Sequence, residues 1–399
     1  MKYMGSKRFM LNNGLGDLLR EQLPRANRFI DPFCGSGGII NFVATDQNFK
    51  GEIIAGDLQK YAVVLAKAVI GRTEIFDVEY LKNIWIEEAK KGLNSSKFLN
   101  RIDEIDKKYH NDIKLRVKKA RKLCESPSQI GPIWNAYGGH YFSPKQALVL
   151  DYLLKTLPKQ TKYRNVCLAA IIIAASRAAA SPGHTAQPFQ PTKGAGKFIE
   201  ISWHIDIFKS CETALKEISI LYAKIKGKAV VSDAKKLISK LKKGDLVLLD
   251  PPYSGVQYSR FYHVLETIAR GYCGEITGIG RYPAISERPQ SEFSNAGQSL
   301  KALEQLLSDL SKKEATVIFT FPKGRCSNGL SGDKVIELAS KYFNLDKNKS
   351  RIHEHVITGR FSTLGGNNKL NKNNHEKKSR VKSEELVLLL KPKTIQHKK

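Results

Sequence analysis

Long apolar runs are scarce in this 399-residue sequence. The longest unbroken one, Val166–Ala175 (VCLAAIIIAA), is too short to cross a bilayer. The first eleven residues, MKYMGSKRFML, contain no apolar h-region, so no secretory signal is expected, and no lipidation signal is present. The six cysteines form neither CxxC pairs nor a regular spacing, which argues for a reducing compartment and against structural zinc. No internal repeat is found. Acidic residues are also in short supply, 38 against 66 Lys and Arg, a formal net charge of +28. What remains is 41% hydrophobic and 26% charged, ample for a sizeable core and incompatible with disorder or a small disulfide scaffold. The length suits one large domain with an insertion, or two domains. A soluble, cytoplasmic protein without membrane contact is expected.

Such a charge excess costs self-repulsion unless a polyanion is the partner. Nucleic acid suits it better than an anionic membrane, which is commonly met by a lipid anchor or a basic amphipathic helix. Binding is then expected to weaken steeply with salt, because released counterions drive it.

Along the chain, Arg25–Ile30 reads as a strand stopped by Pro32 and a glycine cluster, Gly38–Thr45 as the start of a helix, Gly51–Ala55 as a strand and Leu58–Val69 as an amphipathic helix. This is the opening of a parallel sheet covered on both faces. The pattern resumes with strands at Ala229–Ser232, Asp245–Leu249, Thr316–Phe321 and Glu385–Leu390, and helices at Ala234–Leu241 and Leu300–Lys312. Between the halves, roughly 76–228, the character changes. Leu81–Leu123 reads as helical and strongly basic, and Ser176–Trp203, rich in Gly, Pro, Gln, Thr and Ser, reads as loop. Gly365–Lys382 is polar and basic enough to be mobile. The expected organisation is one α/β core, residues 1–75 and 229–399, split by an insertion at 76–228.

Two motifs stand where chemistry is expected. Asp31-Pro32-Phe33-Cys34-Gly35-Ser36-Gly37-Gly38 joins a strand to a helix, where glycines let the backbone approach a ligand and the helix offers unpaired N–H groups. It lacks the third glycine of a GxGxxG dinucleotide fingerprint. Asp57, ending the next strand, is placed to hold two ribose hydroxyls. For the glycines alone, an ordinary strand–helix turn is an adequate explanation. Asp250-Pro251-Pro252-Tyr253 follows a buried strand at the carboxyl end of the sheet. The prolines remove two N–H donors and stiffen the turn. The Asp250 carboxylate and the Pro251 carbonyl can both accept from one NH₂ group, and Tyr253 offers a face for a base to stack on, worth roughly 1–3 kcal/mol. The bland alternative is a proline-rich turn with a capping aspartate.

Taken in order, KYMGSK (2–7), DPFCGSGG (31–38), GD (56–57), SD (232–233), DPPY (250–253) and SRVKSEELVLLL (379–390) resemble the Dam-like DNA adenine methylases over nearly the whole chain. The resemblance implies a Rossmann-like S-adenosylmethionine-dependent methyltransferase sheet, with an inserted, mainly helical target-recognition region. It also implies methylation of the exocyclic N6 amine of adenine in duplex DNA by base flipping, with no metal, and a possible cognate restriction endonuclease. Carried over residue by residue, Tyr3 and Lys7 match the segment that touches the methionine end of the cofactor. Asp31, Phe33, Gly35 and Gly37 match the cofactor loop, Asp57 the ribose acid and Asp233 the acid near the cofactor adenine. Asp250, Pro251, Pro252 and Tyr253 match the catalytic tetrad, with Asp250 also close to the cofactor. The insertion aligns with no recognition loop of Dam itself, so no target sequence follows.

Weaker signals keep two explanations each. Val256–His263 (VQYSRFYH) either lines the base pocket or contacts phosphate, or begins a helix packed on the sheet. Lys107–Lys122 faces phosphates or is a solvated surface. Ser181–Thr192 carries Gln, His and Thr on a loop that either reads bases or connects elements. A Cys34–His184 nucleophile pair lacks supporting context. Two rival functions remain: an RNA amine methyltransferase built on the same tetrad, and a non-catalytic nucleic-acid-binding module.

Overall fold

A computed structural model of the protein describes residues 7–125, 130–345, 355–362 and 380–393. Ten strands are present among them: β1 (Arg28–Asp31), β2 (Glu52–Asp57), β3 (Lys228–Val231), β4 (Asp245–Leu249), the short pair β5 (Ile276–Thr277) and β6 (Tyr282–Pro283), β7 (Thr316–Pro322), β8 (Phe343–Leu345), β9 (His355–Ser362) and β10 (Arg380–Pro392). Eight of them form one sheet in the order β3-β2-β1-β4-β7-β10-β8, with β9 on β10. The run from β3 to β7 is parallel, whereas β10 is antiparallel to β7, β8 and β9. This is the doubly wound α/β architecture expected for a Rossmann-like methyltransferase sheet.

The near-continuous apolar strands follow from burial on both faces. In β4, Leu246 and Leu248 point into one core while Val247 and Leu249 point into the other. The first core is covered by α1 (Gly38–Thr45), α2 (Lys60–Ile70), α3 (Thr161–Ala178) and α5 (His263–Arg270); the second by α4 (Ala234–Ile238), α6 (Ser299–Ser311) and α7 (Gly332–Tyr342). Arg28 and Asp245 fix the register of the two central strands: Nη2 lies 2.5 Å from Oδ2 and Nε donates to Oδ1 at 2.9 Å.

Between α2 and β3 the regular elements are helices. The basic stretch expected to be helical over 81–123 is broken: a helix at Leu99–Lys108 stops, and another runs over Ile113–Glu125. Asp112 forces the restart, its Oδ1 accepting from Leu115 N at 2.9 Å. The expected loop at Ser176–Trp203 is shorter than the composition suggests. Helix α3 reaches Ala178, and Gly196–Trp203 is helical because Ile199 and Trp203, one turn apart, bury against Val117 and Ala120. At the carboxyl-terminal end, α7, β8 and β9 were not apparent from the sequence. Of the polar tract at Gly365–Lys382, residues 365–379 lie outside the described residues, and 380–382 open β10.

Candidate active site

The carboxyl ends of β1, β2, β3 and β4 converge on a cavity of about 790 Å³, counting its open mouth. Its lining includes Phe33, Asp57, Asp233 and the whole of Asp250–Tyr253, together with Gln59, Gln257 and Phe293. A smaller adjoining cavity is lined by Lys7, Asp31, Cys34, Gly35, Ser36 and Gly38, and shares Phe33 and Asp250 with the first. Except for Gly37, which lines neither, the described residues singled out in the sequence divide between these two neighbouring spaces. Tyr3 lies outside the described residues.

The glycine-rich loop needs its glycines. Gly35 and Gly37 have φ of 46° and 76°, and Gly37 stands at the start of α1. Asp31 is buried and folds back to accept from Phe33 N at 3.0 Å. Burial, reinforced by Asp250 and Asp57, pushes its pKa well up despite that bond. Asp57 accepts from Gln59 N through Oδ1 (2.9 Å) and from Gly35 N through Oδ2 (3.0 Å). Burial raises its pKa to about 6, the backbone donors of Gln59, Gly35 and Leu58 holding back a larger rise. Asp233 lines the cavity but also caps α4, accepting from Lys235 N at 2.8 Å. Phe33 meets Phe293 edge-on at 5.4 Å, giving the cavity an aromatic wall.

At the tetrad, Asp250 is held from one side. Lys7 Nζ lies 2.9 Å from Oδ1, and Thr320 Oγ1 donates to the same oxygen at 2.7 Å; among the described residues Oδ2 carries no bond. Lys7 also reaches Glu385 Oε2 at 3.5 Å. Burial pulls the Lys7 pKa down, but the two carboxylates outweigh it and leave it raised. Burial raises that of Glu385, with Lys7 opposing. The Pro252 carbonyl accepts from Asn328 Nδ2 at 3.2 Å, whereas no such side-chain donor meets the Pro251 carbonyl among the described residues. Tyr253 stands edge-on to Phe321 at 6.4 Å, and burial raises its phenol pKa to about 12.

Thr320, Glu385 and Asn328 were missed in the sequence. Thr320 and Glu385 had a signal: each is a polar residue in or beside an apolar strand at the end of the sheet that carries the tetrad. Gln257, Tyr258 and Ser259 do line the cavity, whereas Phe261, Tyr262 and His263 are packed in the core. Cys34 and His184 do not form a nucleophilic pair: burial pushes the Cys34 thiol well up, and His184 Nδ1 accepts from Ala186 N.

Comparison with known sequences decides the family. A profile of the D12 class N6 adenine-specific DNA methyltransferases matches residues 3–170 and 173–319. The chain belongs to this family. Among its relatives, the type II methyltransferase M.FokI of Planomicrobium okeanokoites is 26% identical over 307 residues, covering 72% of this chain and 40% of that protein. The modification methylase LlaI of Lactococcus lactis subsp. lactis is 24% identical over 341 residues, 80% of this chain and 46% of that protein. The D12-class chain thus spans less than half the length of either relative. Among the described residues no helix is long and apolar enough to cross a membrane.

Proposed function

We propose that this D12-class chain transfers a methyl group from S-adenosylmethionine to the exocyclic N6 amine of an adenine extruded from duplex DNA. The observation that carries this is the one-sided grip on Asp250: Lys7 and Thr320 occupy Oδ1 at the rim of a cavity that also contains Asp57, Phe33 and Tyr253.

The donor set fits the cofactor. Each oxygen of Asp57 takes one backbone N–H and keeps a lone pair for a hydroxyl donor. Gln59, in the same lining, has Oε1 buried with no partner among the described residues. Phe33 and Phe293 supply apolar walls suited to a purine. Lys7, Asp31, Gly35 and Gly37 are assigned to the amino-acid end, as is Tyr3. Asp233 is assigned to the adenine end, alongside its capping bond. When bound, S-adenosylmethionine supplies an electrophilic methyl group on a sulfonium.

The protein's part is positioning and fixed dipoles. The adenine amine is a poor nucleophile because its lone pair is delocalised into the ring. Asp250 Oδ2 and the Pro251 carbonyl accept its two hydrogens and draw the nitrogen towards tetrahedral geometry. Pro252 keeps the turn rigid, with its own carbonyl committed to Asn328. Tyr253 stacks on the base and offsets part of the few kcal/mol spent on flipping. Residues 76–228 are assigned to DNA binding and target recognition, and residues 1–75 and 229–399 to the catalytic core. The modification-methylase names of the relatives are the ground for proposing a paired restriction endonuclease and a cytoplasmic place of action on DNA.

The test is transfer of labelled methyl from S-adenosylmethionine to duplex DNA, with modification-sensitive sequencing to locate the product. Asp250→Ala should lower the rate by roughly 10²–10³ or more while duplex binding persists. Retained turnover sinks the role of Asp250, and incorporation into RNA alone sinks the choice of substrate.

A further inference from the structure

Two arginines, without a counter-ion among the described residues, sit next in the chain to residues that line the larger of the two site cavities. Arg260 follows Ser259 and Arg288 precedes Pro289, both cavity-lining residues. The segments carrying them are tied together: Gln257 Nε2 donates to the Ser291 carbonyl at 3.0 Å, and Gln257 Oε1 accepts from Ser291 N at 2.7 Å. Both guanidiniums lie over the ring of Tyr282, 4.8 and 5.4 Å from its centroid, and Arg260 Nη2 reaches the Tyr282 hydroxyl at 3.4 Å. Tyr282 is itself pinned, its hydroxyl donating to the Ala186 carbonyl at 2.5 Å.

Among the described residues neither arginine pairs with a carboxylate; the acid on the same segment, Glu287, lies 4.0 Å from Arg270 instead. Arg288 Nε is buried without a hydrogen-bond partner. Burial and the nearby Arg260 charge both lower the Arg288 pKa. Two like charges held on one ring, with a donor unmet, are costly in the free protein. An anion bridging their exposed edges offsets the like-charge cost. Stacking occupies the guanidinium faces and leaves N–H edges suited to phosphate oxygens.

We propose that Arg260 and Arg288, braced on Tyr282, clamp the DNA phosphate beside the extruded adenine. The assignment rests on base entry into this cavity, as proposed above. An extruded nucleotide stays joined to its strand through two phosphodiesters, so a base inside the cavity brings a phosphate to its mouth, next to the two segments that carry these arginines. Gripping it there helps to hold the nucleotide out of the stack.

The experiment is equilibrium binding of a short fluorescent duplex across a range of potassium chloride concentrations, with single-stranded RNA of equal length in parallel. For duplex, the slope of log K against log salt should shrink by about one for each Arg→Gln change at 260 and 288, with roughly five- to tenfold weaker binding near physiological salt. Arg260→Lys with Arg288→Lys should keep the slope while weakening binding, since charge is retained and the planar stack is lost. An unchanged thermal midpoint and unchanged S-adenosylhomocysteine binding show that the variants fold. An unaltered slope in folded Arg260→Gln/Arg288→Gln overturns the clamp, as does a slope lost on RNA and kept on duplex. Methyl incorporation by the unaltered chain separates the two ideas. Normal incorporation with an unaltered slope removes the clamp alone. A shrunken slope without incorporation removes the methyl-transfer assignment and the place beside an extruded adenine, and leaves only a phosphate contact at the two arginines.

Discussion

At Lys7 three charges meet: its own ammonium, the Asp250 carboxylate at 2.9 Å and the Glu385 carboxylate at 3.5 Å. Lys7 and Glu385 are both buried, so removing the cation leaves a buried carboxylate unpaired. Lys7→Met should therefore cost about 3–5 kcal/mol of stability and depress methyl transfer. Adding Glu385→Leu should restore much of the stability without restoring turnover, because Asp250 is then held by Thr320 alone and still lacks the Lys7 ammonium. Urea melts of the double-mutant cycle check this, and recovery of both together would refute a positioning role for Lys7. Asp57 makes a pH prediction. Its pKa of about 6 lies above the ordinary carboxylate value because burial penalises the charge. Ribose hydroxyls donate to the ionised form, so binding lowers that pKa and releases a proton near and below pH 6. Affinity for S-adenosylhomocysteine should rise with pH up to about 6 and level off above it. Asp57→Asn should bind more weakly and lose the dependence. Calorimetric titration in buffers of different ionisation enthalpy measures both the affinity and the proton; a flat profile in the unaltered chain would exclude Asp57 from the diol.

At the scale of elements, strand β4 carries the site and is fixed at its opposite end by an ion pair. Asp245 is 1% exposed and meets Arg28 through two bonds and Lys242 N through a third at 2.8 Å. Asp245→Ala should cost about 3 kcal/mol, seen as a lower urea midpoint with an unchanged slope. Normal methyl transfer below the new transition would show that the tetrad is positioned by its turn and not by this anchor. The sequence made the glycine loop, Asp57 and the tetrad legible because each is a short break at the end of an apolar run, where α/β proteins place ligands. Strands β1, β2, β4 and β7 were legible for the same reason. Thr320 and Glu385 were not, because their meaning depends on which strands become neighbours, and β10 enters antiparallel beside β7 only after α7 and β8 intervene. The helix at Gly196–Trp203 was hidden behind Gly and Pro, since its two anchoring residues show their pattern only against the helix they bury on.

The whole molecule is stitched at the point where the long helical segment leaves the sheet and returns. Gly227 N donates to the Ile70 carbonyl at 2.7 Å and Ala223 N to the Arg72 carbonyl at 3.2 Å. The Arg72 guanidinium gathers the carbonyls of Ile218, Ser219 and Leu221, and burial lowers its pKa to about 10. Exit and entry therefore lie side by side, as an insertion requires. Yet the segment between them is not a separate body. Ile171, Ile172 and Ala175 of α3 share one continuous core with Tyr61 and Leu65 of α2, with Phe29 and Ile53 of the sheet, and with Val387 and Leu389 of β10. Apolar surface contributed before, within and after the segment is buried together, so no part can open without exposing the rest. A single calorimetric transition is expected, with van 't Hoff and calorimetric enthalpies in agreement. Replacing residues 73–222 by a short linker should strip the cover from α2 and leave an insoluble sheet, whereas Arg72→Gln alone should lower the transition without splitting it. Two separated transitions in the unaltered chain would mean that the helical segment folds on its own, and the shared core would then be a weak contact between two bodies.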